Sequence, residues 1–332
     1  MKFPATLALA FAVLFNPALR GENKFTVEKT ASDGAVVKVD GKVFAEYVVD
    51  QANKPYLAPV FGPTGSQMTR NYPMKTVDGE THDHPHHRGL CFGHEDVGGS
   101  EFWAEKKTFE EMNEKKPGSG DARLAHVGST KHRKYAELKA DKNGVVIDDV
   151  IDWLDPQGKK LMEEHRRMTF RVGEGTRIID MDQDLIASDG PVRIEDKKDA
   201  GLSIRVPTSM AVDSKKGGKI INSEGITDAE AWAKRAKWCD YHGPVDGDTL
   251  GVAMLNHPSS FRYPTPWHVR TYGLFTANAF ASKGFDKKAE DWGFELKAGD
   301  RLKLRHRFIF HSGDEKSAKI AEAWESYSKE AK

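Results

Sequence analysis

Short segments in which apolar and polar residues alternate, separated by turn residues, recur along most of this 332-residue chain. Ala35 to Val39 and Val43 to Tyr47 are two of them, joined by a turn at Asp40 and Gly41. A period of two is typical of strands with one buried face. Because βαβ units are not apparent, the pattern predicts a mainly β fold, an antiparallel β-sandwich or supersandwich. Similar segments are 144–154, 161–172, 176–186, 202–206, 250–255, 274–280 and 302–311.

Few segments carry a helical period. Residues 315–330 place Ile320, Ala323 and Trp324 on one face and predict a C-terminal helix, while 228–238 predicts a second, shorter one. Residues 115–121 read as a flexible loop. With no internal repeat or linker, we expect residues 22–332 to form a single β-supersandwich-like domain.

Charge and the N-terminal segment exclude several classes of protein. Fifty Lys and Arg residues balance fifty Asp and Glu residues, so no net field favours nucleic acid. Residues 1–21 combine Lys2, an apolar run and a breaker region, which predicts a signal peptide and a periplasmic or extracellular protein. No later segment is long enough to span a membrane. Such a compartment permits a Cys91–Cys239 disulfide.

Five of the 13 histidines fall between residues 82 and 94. Pro85 and Gly89 interrupt this segment, which therefore predicts a shaped loop leading into a strand. Loops on a rigid β scaffold are where binding and catalytic groups concentrate. Phe102 and Trp103 follow and add an aromatic surface.

Three kinds of chemistry use such a loop. Neutral imidazoles bind Zn, Cu, Fe or Ni, and the candidate ligands are His84, His86 or His87, and His94. A histidine also acts as a general acid or base near neutral pH while Arg88 stabilises an anion. Recognition of sugar hydroxyls or of a carboxylate is the third alternative.

A second polar segment spans residues 256–272. It includes His257 near its start, and its alternation places His268, Arg270 and Tyr272 on one strand face, opposite Trp267. An imidazole, a guanidinium and a phenol on one face are costly in a core unless they are paired. We therefore expect them at the floor of a polar cleft.

Other candidates lie outside these two segments. Arg205 lies among apolar residues and is expected to face an anion or a cleft, and Trp238, Asp240 and Tyr241 combine aromatic rings with a carboxylate. Aromatic faces beside hydrogen-bonding groups suit a sugar ring. The sequence contains no phosphate-binding glycine loop, nucleophile-elbow serine or paired-cysteine metal motif.

The two histidine segments together resemble a secreted bacterial family called PmoA-like, whose members are otherwise uncharacterised domains. Cys91 departs from the pattern, where an aromatic residue such as Trp is expected. The residues that carry the resemblance are 84–90, 92–94, 102–103, Trp238, Asp240, Tyr241, 257–258, 264–270 and 272–274.

The name of this family implies methane oxidation, which requires an integral membrane subunit, and no segment after residue 21 fits one. More usefully, the resemblance implies a β-supersandwich similar to galactose mutarotase-like sugar-binding folds. The step from such a fold to an activity is analogy.

These observations favour a secreted carbohydrate-active enzyme, a lyase, hydrolase or epimerase acting on a sugar or a uronate-containing glycan. His87 or His94 would serve as acid or base with His268 or His257, and Arg88 and Arg270 would neutralise a carboxylate. The alternatives are a transition-metal enzyme with His84, His86 and His94 as ligands, and a non-catalytic glycan-binding module. The remaining predicted substrate-binding residues are His84, His86, Trp103, Arg205, Trp238, Asp240, Tyr241, Trp267 and Tyr272.

Overall fold

A computed structural model describes residues 23–331, so the predicted signal peptide lies outside the described residues. In the described part, β-strands dominate and the named strand pairs are antiparallel. The strands are β1 Phe25–Lys29, β2 Ala35–Val39, β3 Lys42–Val48, β4 Tyr56–Val60, β5 Leu90–His94, β6 Ser129–Asp141, β7 Gly144–Leu154, β8 Lys160–Gly173, β9 Thr176–Ile186, β10 Val192–Ile194, β11 Ala200–Arg205, β12 Lys219–Asn222, β13 Trp238–Val245, β14 Asp248–Asn256, β15 Trp267–Val269, β16 Leu274–Ala277, β17 Phe294–Leu296 and β18 Arg301–Ser312.

Two eight-stranded sheets form the body of the fold. The first sheet has the order β1-β2-β3-β4-β5-β11-β16-β15, and the second has the order β12-β13-β14-β18-β9-β8-β7-β6. A two-stranded sheet pairs β10 with β17. The mainly β, antiparallel sandwich predicted from the alternating segments is therefore confirmed.

The hydrophobic core lies between the two large sheets. Phe92 from β5 meets Trp153 from β7 with ring centroids 5.8 Å apart, and Phe44 meets Phe170 edge-on at 5.5 Å. All four side chains are buried. Because full burial of a large apolar side chain contributes about 1.5–3 kcal/mol, such cross-sheet contacts hold the two sheets together.

Three short α-helices accompany the described strands: α1 Lys106–Lys115, α2 Asp121–Leu124 and α3 Ile320–Tyr327. The predicted C-terminal helix is thus present, but it begins at Ile320 because residues 314–317 form a hydrogen-bonded turn. The shorter helix predicted at 228–238 is wrong: a 3-10 turn covers Asp228–Ala231, and strand β13 starts at Trp238. The predicted loop at 115–121 joins α1, which the sequence pattern missed, to α2.

Both cysteines are buried and free. Cys91 belongs to β5 in the first sheet and Cys239 to β13 in the second sheet. The structure therefore contains no bond between them. No helix among residues 23–331 has the length and apolar character needed to cross a membrane.

Candidate functional site

The two polar segments found in the sequence meet in one cleft of about 370 Å³. The two segments meet because of the register in which three strands pair. The start of β5, the end of β11 and the start of β16 are aligned, since Leu90 pairs with Ile204 and Arg205 pairs with Leu274. The cleft is lined by His84, His86, His87, Trp103, Ala104, Thr108, Phe109, Met112, Arg123, Lys198, Asp199, His268, Arg270 and Tyr272.

The histidine loop enters the cleft as a tight turn. The backbone N–H of His87 donates to the carbonyl of His84 at 3.0 Å, and His84 itself has φ of 47°. A positive φ is uncommon for a residue with a side chain, although histidine adopts it more readily than most residues, and here it closes the turn. Gly89 then joins the loop to β5, where a Cβ would lie 2.1 Å from the carbonyl oxygen of Leu57.

Three aromatic rings stack in parallel along one side of the cleft. The ring of His84 lies 4.8 Å from that of His87 and 5.1 Å from that of Tyr272, with interplanar angles of 2° and 1°. The guanidinium of Arg205 covers Tyr272 at 4.8 Å. The stack limits the rotation of each ring and orients the imidazole edges.

A buried ionic frame supports this stack. Asp83 lies between Arg70 and Arg205, whose nearest nitrogens are 2.7 and 2.8 Å from its Oδ1, and His84 bonds to its other oxygen. Burial alone would raise the pKa of Asp83, but the His84 hydrogen bond and the two arginines hold it well below its ordinary value. Burial lowers the pKa of Arg70 to about 10, and the charge of Arg205 adds to this effect.

Burial also makes three cleft histidines neutral. It lowers the pKa of His86 and of His87 well below the ordinary value, and neighbouring cations, Lys54 for His86 and Arg205 for His87, act in the same direction. The pKa of His268 falls to about 4, again mainly through burial. All three imidazoles are therefore uncharged at neutral pH.

Hydrogen bonds assign opposite roles to two of these imidazoles. Arg205, which only donates, lies 3.3 Å from Nδ1 of His87, so this nitrogen accepts and the proton of neutral His87 resides on Nε2. His268 Nδ1 lies 2.6 Å from the carbonyl oxygen of Lys198, so Nδ1 donates and Nε2 keeps its lone pair. Neither Nε2 atom has a hydrogen-bond partner among residues 23–331. Unlike Nε2 of His94, neither of them is fully buried.

Arg270 is the cation of the cleft that has no carboxylate partner in the described part of the chain. Its guanidinium lies 5.6 Å from the ring of Trp232 and 5.7 Å from that of Tyr272. In contrast, Lys198 pairs with Asp199 at 3.0 Å and Arg123 pairs with Glu101. An arginine held against aromatic rings without a counter-ion is suited to bind a carboxylate from a ligand.

The opposite wall comes from the segment after β5 and from α1. Trp103 stands edge-on to His87 with centroids 5.7 Å apart, and Nδ1 of His86 lies 3.0 Å from the hydroxyl of Thr108. Phe109 and Met112 of α1 complete this wall. A second cavity of about 400 Å³, lined by residues that include Trp232, Phe285 and Trp292, lies next to the cleft, because Trp232 also contacts His268 and Arg270.

Three of the residues predicted to be catalytic lie outside the cleft. Arg88 makes a bidentate pair with Glu105 at 2.7 and 2.9 Å, so its charge is already compensated. His94 is buried against Phe280, with centroids 5.0 Å apart. His257 bonds to Ser259 and to a backbone carbonyl near the C-terminus. The other three residues predicted to be catalytic, His87, His268 and Arg270, line the cleft.

Several residues predicted to bind substrate have structural positions instead. Trp267 is in the core and donates to the carbonyl of Ala236, and Trp238 packs in the cluster around α3. The Tyr241 hydroxyl contacts the carbonyl of Thr271 and so supports the turn after β15. Arg205 lies behind the stacked rings, where it holds His87 and Asp83. Asp240 lies in the second sheet, bonded to His242 and His311.

The predicted metal ligands are not assembled, since His84 and His86 line the cleft and His94 does not. Among the described residues, one group of His, Cys, Asp and Glu has ligand atoms within 4.8 Å of one another, namely Asp240, His242 and Glu315. The sequence reasoning missed the supporting residues Arg70 and Asp83. Asp83 stands inside the histidine segment, and its position between two histidines was the available signal.

The model of a family of unknown function (DUF6807) matches residues 34–325. The chain belongs to this family. The name PmoA-like is not confirmed by this match and stays a prediction. A comparison with curated proteins finds no match.

Solved structures show distant likenesses. A GH36 α-galactosidase from Geobacillus stearothermophilus in complex with stachyose is 10% identical with a TM-score of 0.40, covering 88% of this chain and 41% of that chain. A polysaccharide lyase is 10% identical with a TM-score of 0.34, covering 89% and 33%. A galactose mutarotase related enzyme from Lactobacillus acidophilus is 8% identical with a TM-score of 0.36, covering 87% and 97%. This chain spans less than half the length of the first two, and TM-scores this low carry no argument about activity.

Proposed function

We propose that the cleft binds a sugar acid within a carbohydrate and removes the proton next to its carboxylate, as a lyase or an epimerase does. The observation that carries this proposal is the pairing of two imidazoles in opposite tautomers with Arg270, which has no carboxylate partner among residues 23–331.

His268 has the properties of the base. Its Nδ1 is tied to the backbone, its Nε2 keeps a lone pair, and its pKa of about 4 leaves it unprotonated at neutral pH. Arg270 would neutralise the substrate carboxylate, and the Nε2–H of His87 would donate to the carboxylate oxygen on which negative charge develops. In a lyase the neighbouring C–O bond then breaks, and the oxygen that leaves takes the proton held by His268. In an epimerase a proton instead returns to the opposite face of the same carbon. A positioned base contributes roughly 10²–10⁴-fold to a rate.

The lining of the cleft supports this chemistry over glycoside hydrolysis. Hydrolysis by the common route needs two carboxyl groups on either side of the bond, and the described lining contains one, Asp199. The volume falls in the range of about 300–1,000 Å³ that is usual for ligand sites. Trp103, Tyr272 and, in the adjoining cavity, Trp232 offer aromatic surfaces for more than one sugar ring.

The test is turnover of uronate-containing oligosaccharides and of neutral oligosaccharides of equal length. Formation of unsaturated products is followed by ultraviolet absorbance, and epimerisation by NMR. We expect His268→Ala to lower kcat by roughly 100-fold or more. We expect Arg270→Met to act mainly on carboxylated substrates, while His126→Ala, an exposed histidine outside the cleft, keeps wild-type rates. Unchanged turnover in His268→Ala contradicts the proposal.

Calorimetry with the same oligosaccharides distinguishes an enzyme from a binding module. Binding that depends on Arg270, with no product after long incubation, would replace the catalytic proposal by a non-catalytic glycan-binding module.

We also propose that the protein acts outside the cytoplasm. This rests on the charged and apolar pattern of residues 1–21. Fractionation of the cells that produce it, with N-terminal sequencing of the mature chain, checks this. A cytoplasmic protein with residues 1–21 intact contradicts it.

A further inference from the structure

A second group of titratable side chains lies on the outer face of the second sheet and shares no residue with the cleft. Asp240 accepts from Nδ1 of His242 at 2.6 Å and from Nε2 of His311 at 2.7 Å. Glu315, from the segment between β18 and α3, lies 3.9 Å from Nδ1 of His242. All four residues are buried.

Glu315 differs from the other members of this group, because no hydrogen bond accounts for the burial of its carboxylate. Its side chain is 8% exposed, and its carboxylate has no hydrogen bond among residues 23–331. No lysine or arginine forms an ion pair with Glu315 or with Asp240 in that range. Within the described part of the chain, the two buried carboxylates have imidazoles as their charge partners, which leaves negative charge that a cation would compensate.

A glycine keeps the space between the histidines open. His242 pairs with Gly251 across β13 and β14, and Gly251 pairs with His311 across β14 and β18. A Cβ on Gly251 would lie 2.3 Å from the ring of His311 and 2.9 Å from Cβ of His242. Any larger residue would therefore displace the imidazoles from Asp240.

We propose that Asp240, His242 and Glu315 bind one divalent transition-metal ion, with Zn²⁺ as the test ion. One imidazole and two carboxylates are an accepted ligand set for such ions, at metal–ligand distances of about 2.0–2.2 Å. Two ligands at that distance span up to about 4 Å, which matches the 3.9 Å between Nδ1 of His242 and the carboxylate of Glu315. The ion would replace the proton that Nδ1 of His242 shares with Asp240, and this proton would leave to solvent. His311 orients Asp240 by donating to its second oxygen, as groups behind metal ligands commonly do.

Such an ion would bind the segment that precedes α3 to the second sheet. Asp240 and His242 belong to β13, whereas Glu315 follows the end of β18. Ile320, the first residue of α3, donates its backbone N–H to the carbonyl of Glu315 at 3.0 Å. The ion is thus expected to stabilise the attachment of the C-terminal helix.

The test uses tag-free, chelator-treated full-length protein and isothermal titration with ZnCl₂ near neutral pH. We expect about one equivalent of zinc to bind, and a saturating excess to raise Tm by roughly 5 °C. Glu315→Gln should lose both effects and still fold, because the Glu315 side chain makes no hydrogen bond in the described structure. Asp240→Asn should also lose zinc.

Two controls locate the ion. Glu322→Gln, an exposed acid on α3, and the cleft double variant His84→Ala, His86→Ala should both bind zinc as the wild type does. The proposal is overturned by a wild type that binds no zinc, by retention of zinc in Glu315→Gln, or by loss of zinc in the cleft variant, which would place the ion among the loop histidines.

Discussion

The cleft and the Asp240–Glu315 group both combine histidines with carboxylates, yet the charges around their histidines have opposite signs. In the cleft, burial and nearby cations lower the pKa of His86 and His87. In the other group, burial would lower the pKa of His242, but Asp240 and Glu315 raise it. The difference teaches that burial lowers the pKa of a histidine unless carboxylates packed against it outweigh that effect.

The largest expected loss of stability comes from removing the guanidinium of Arg205, which lies behind the stacked rings of the cleft. Arg205→Met leaves Asp83 with Arg70 as its one remaining guanidinium. Breaking a buried ion pair costs about 3–5 kcal/mol, and we expect about 2–3 kcal/mol here, because the Asp83 side chain is 34% exposed. Urea unfolding measures the loss.

The control for that change is Arg301→Met, which removes a half-exposed partner of Asp184 and should alter stability little. If both variants lose the same free energy of unfolding, the ion pairs of Asp83 stabilise the protein no more than an exposed ion pair does.

The second effect is a loss of stability on acidification. For a histidine with a lowered pKa, the unfolded chain binds the proton more tightly, so stability is full above about pH 6.5 and falls as the pH drops towards the folded-state pKa. With a folded-state pKa of about 4, His268 should contribute about 2 kcal/mol of loss between pH 6.5 and 5.

His268→Gln should therefore flatten the dependence of the unfolding free energy on pH. Urea unfolding of both proteins at about pH 7 and pH 5 measures the two slopes. Equal slopes would mean that His268 is not held neutral by burial, and the contrast with His242 would weaken.

The smallest expected loss of stability comes from filling the space beside Gly251 in the Asp240–Glu315 group. Gly251→Ala introduces a Cβ that must displace His311, and overpacking of this kind costs typically about 1–3 kcal/mol. We expect a value near the lower end, together with weaker zinc binding. Thr249→Ala, an exposed site on the same strand, should change stability by less than about 0.5 kcal/mol. Gly251→Ala with unchanged stability and zinc binding would show that the open space is not needed.

Alternation predicted the long strands well where one face is buried. β7 and β9 have the predicted bounds, because their apolar residues alternate with polar ones. β6 was missed: it lies at the edge of its sheet, is largely exposed, and its sequence is rich in charged residues. α1 was missed for a similar reason, since Phe109 is its one buried residue and no apolar stripe marks it.

The candidate site was predicted in part. The polar face formed by His268, Arg270 and Tyr272 does line the cleft, although strand β15 ends at Val269. Arg88 and Arg270 looked equivalent in the sequence, but Glu105 compensates Arg88 and no described carboxylate pairs with Arg270. Such a distinction depends on partners that are distant in the sequence.

By itself, the sequence determined the antiparallel β class, the longest strands and the two segments that form the cleft, because periodicity reports directly which side chains are buried. Only the tertiary structure decided that these segments meet, through the register of β5, β11 and β16. It also decided that the cleft histidines are neutral, which ring nitrogen of His87 and of His268 holds the proton, and that Glu315 lies beside Asp240 and His242. These properties depend on burial and on charges brought together by folding, which local sequence patterns do not contain.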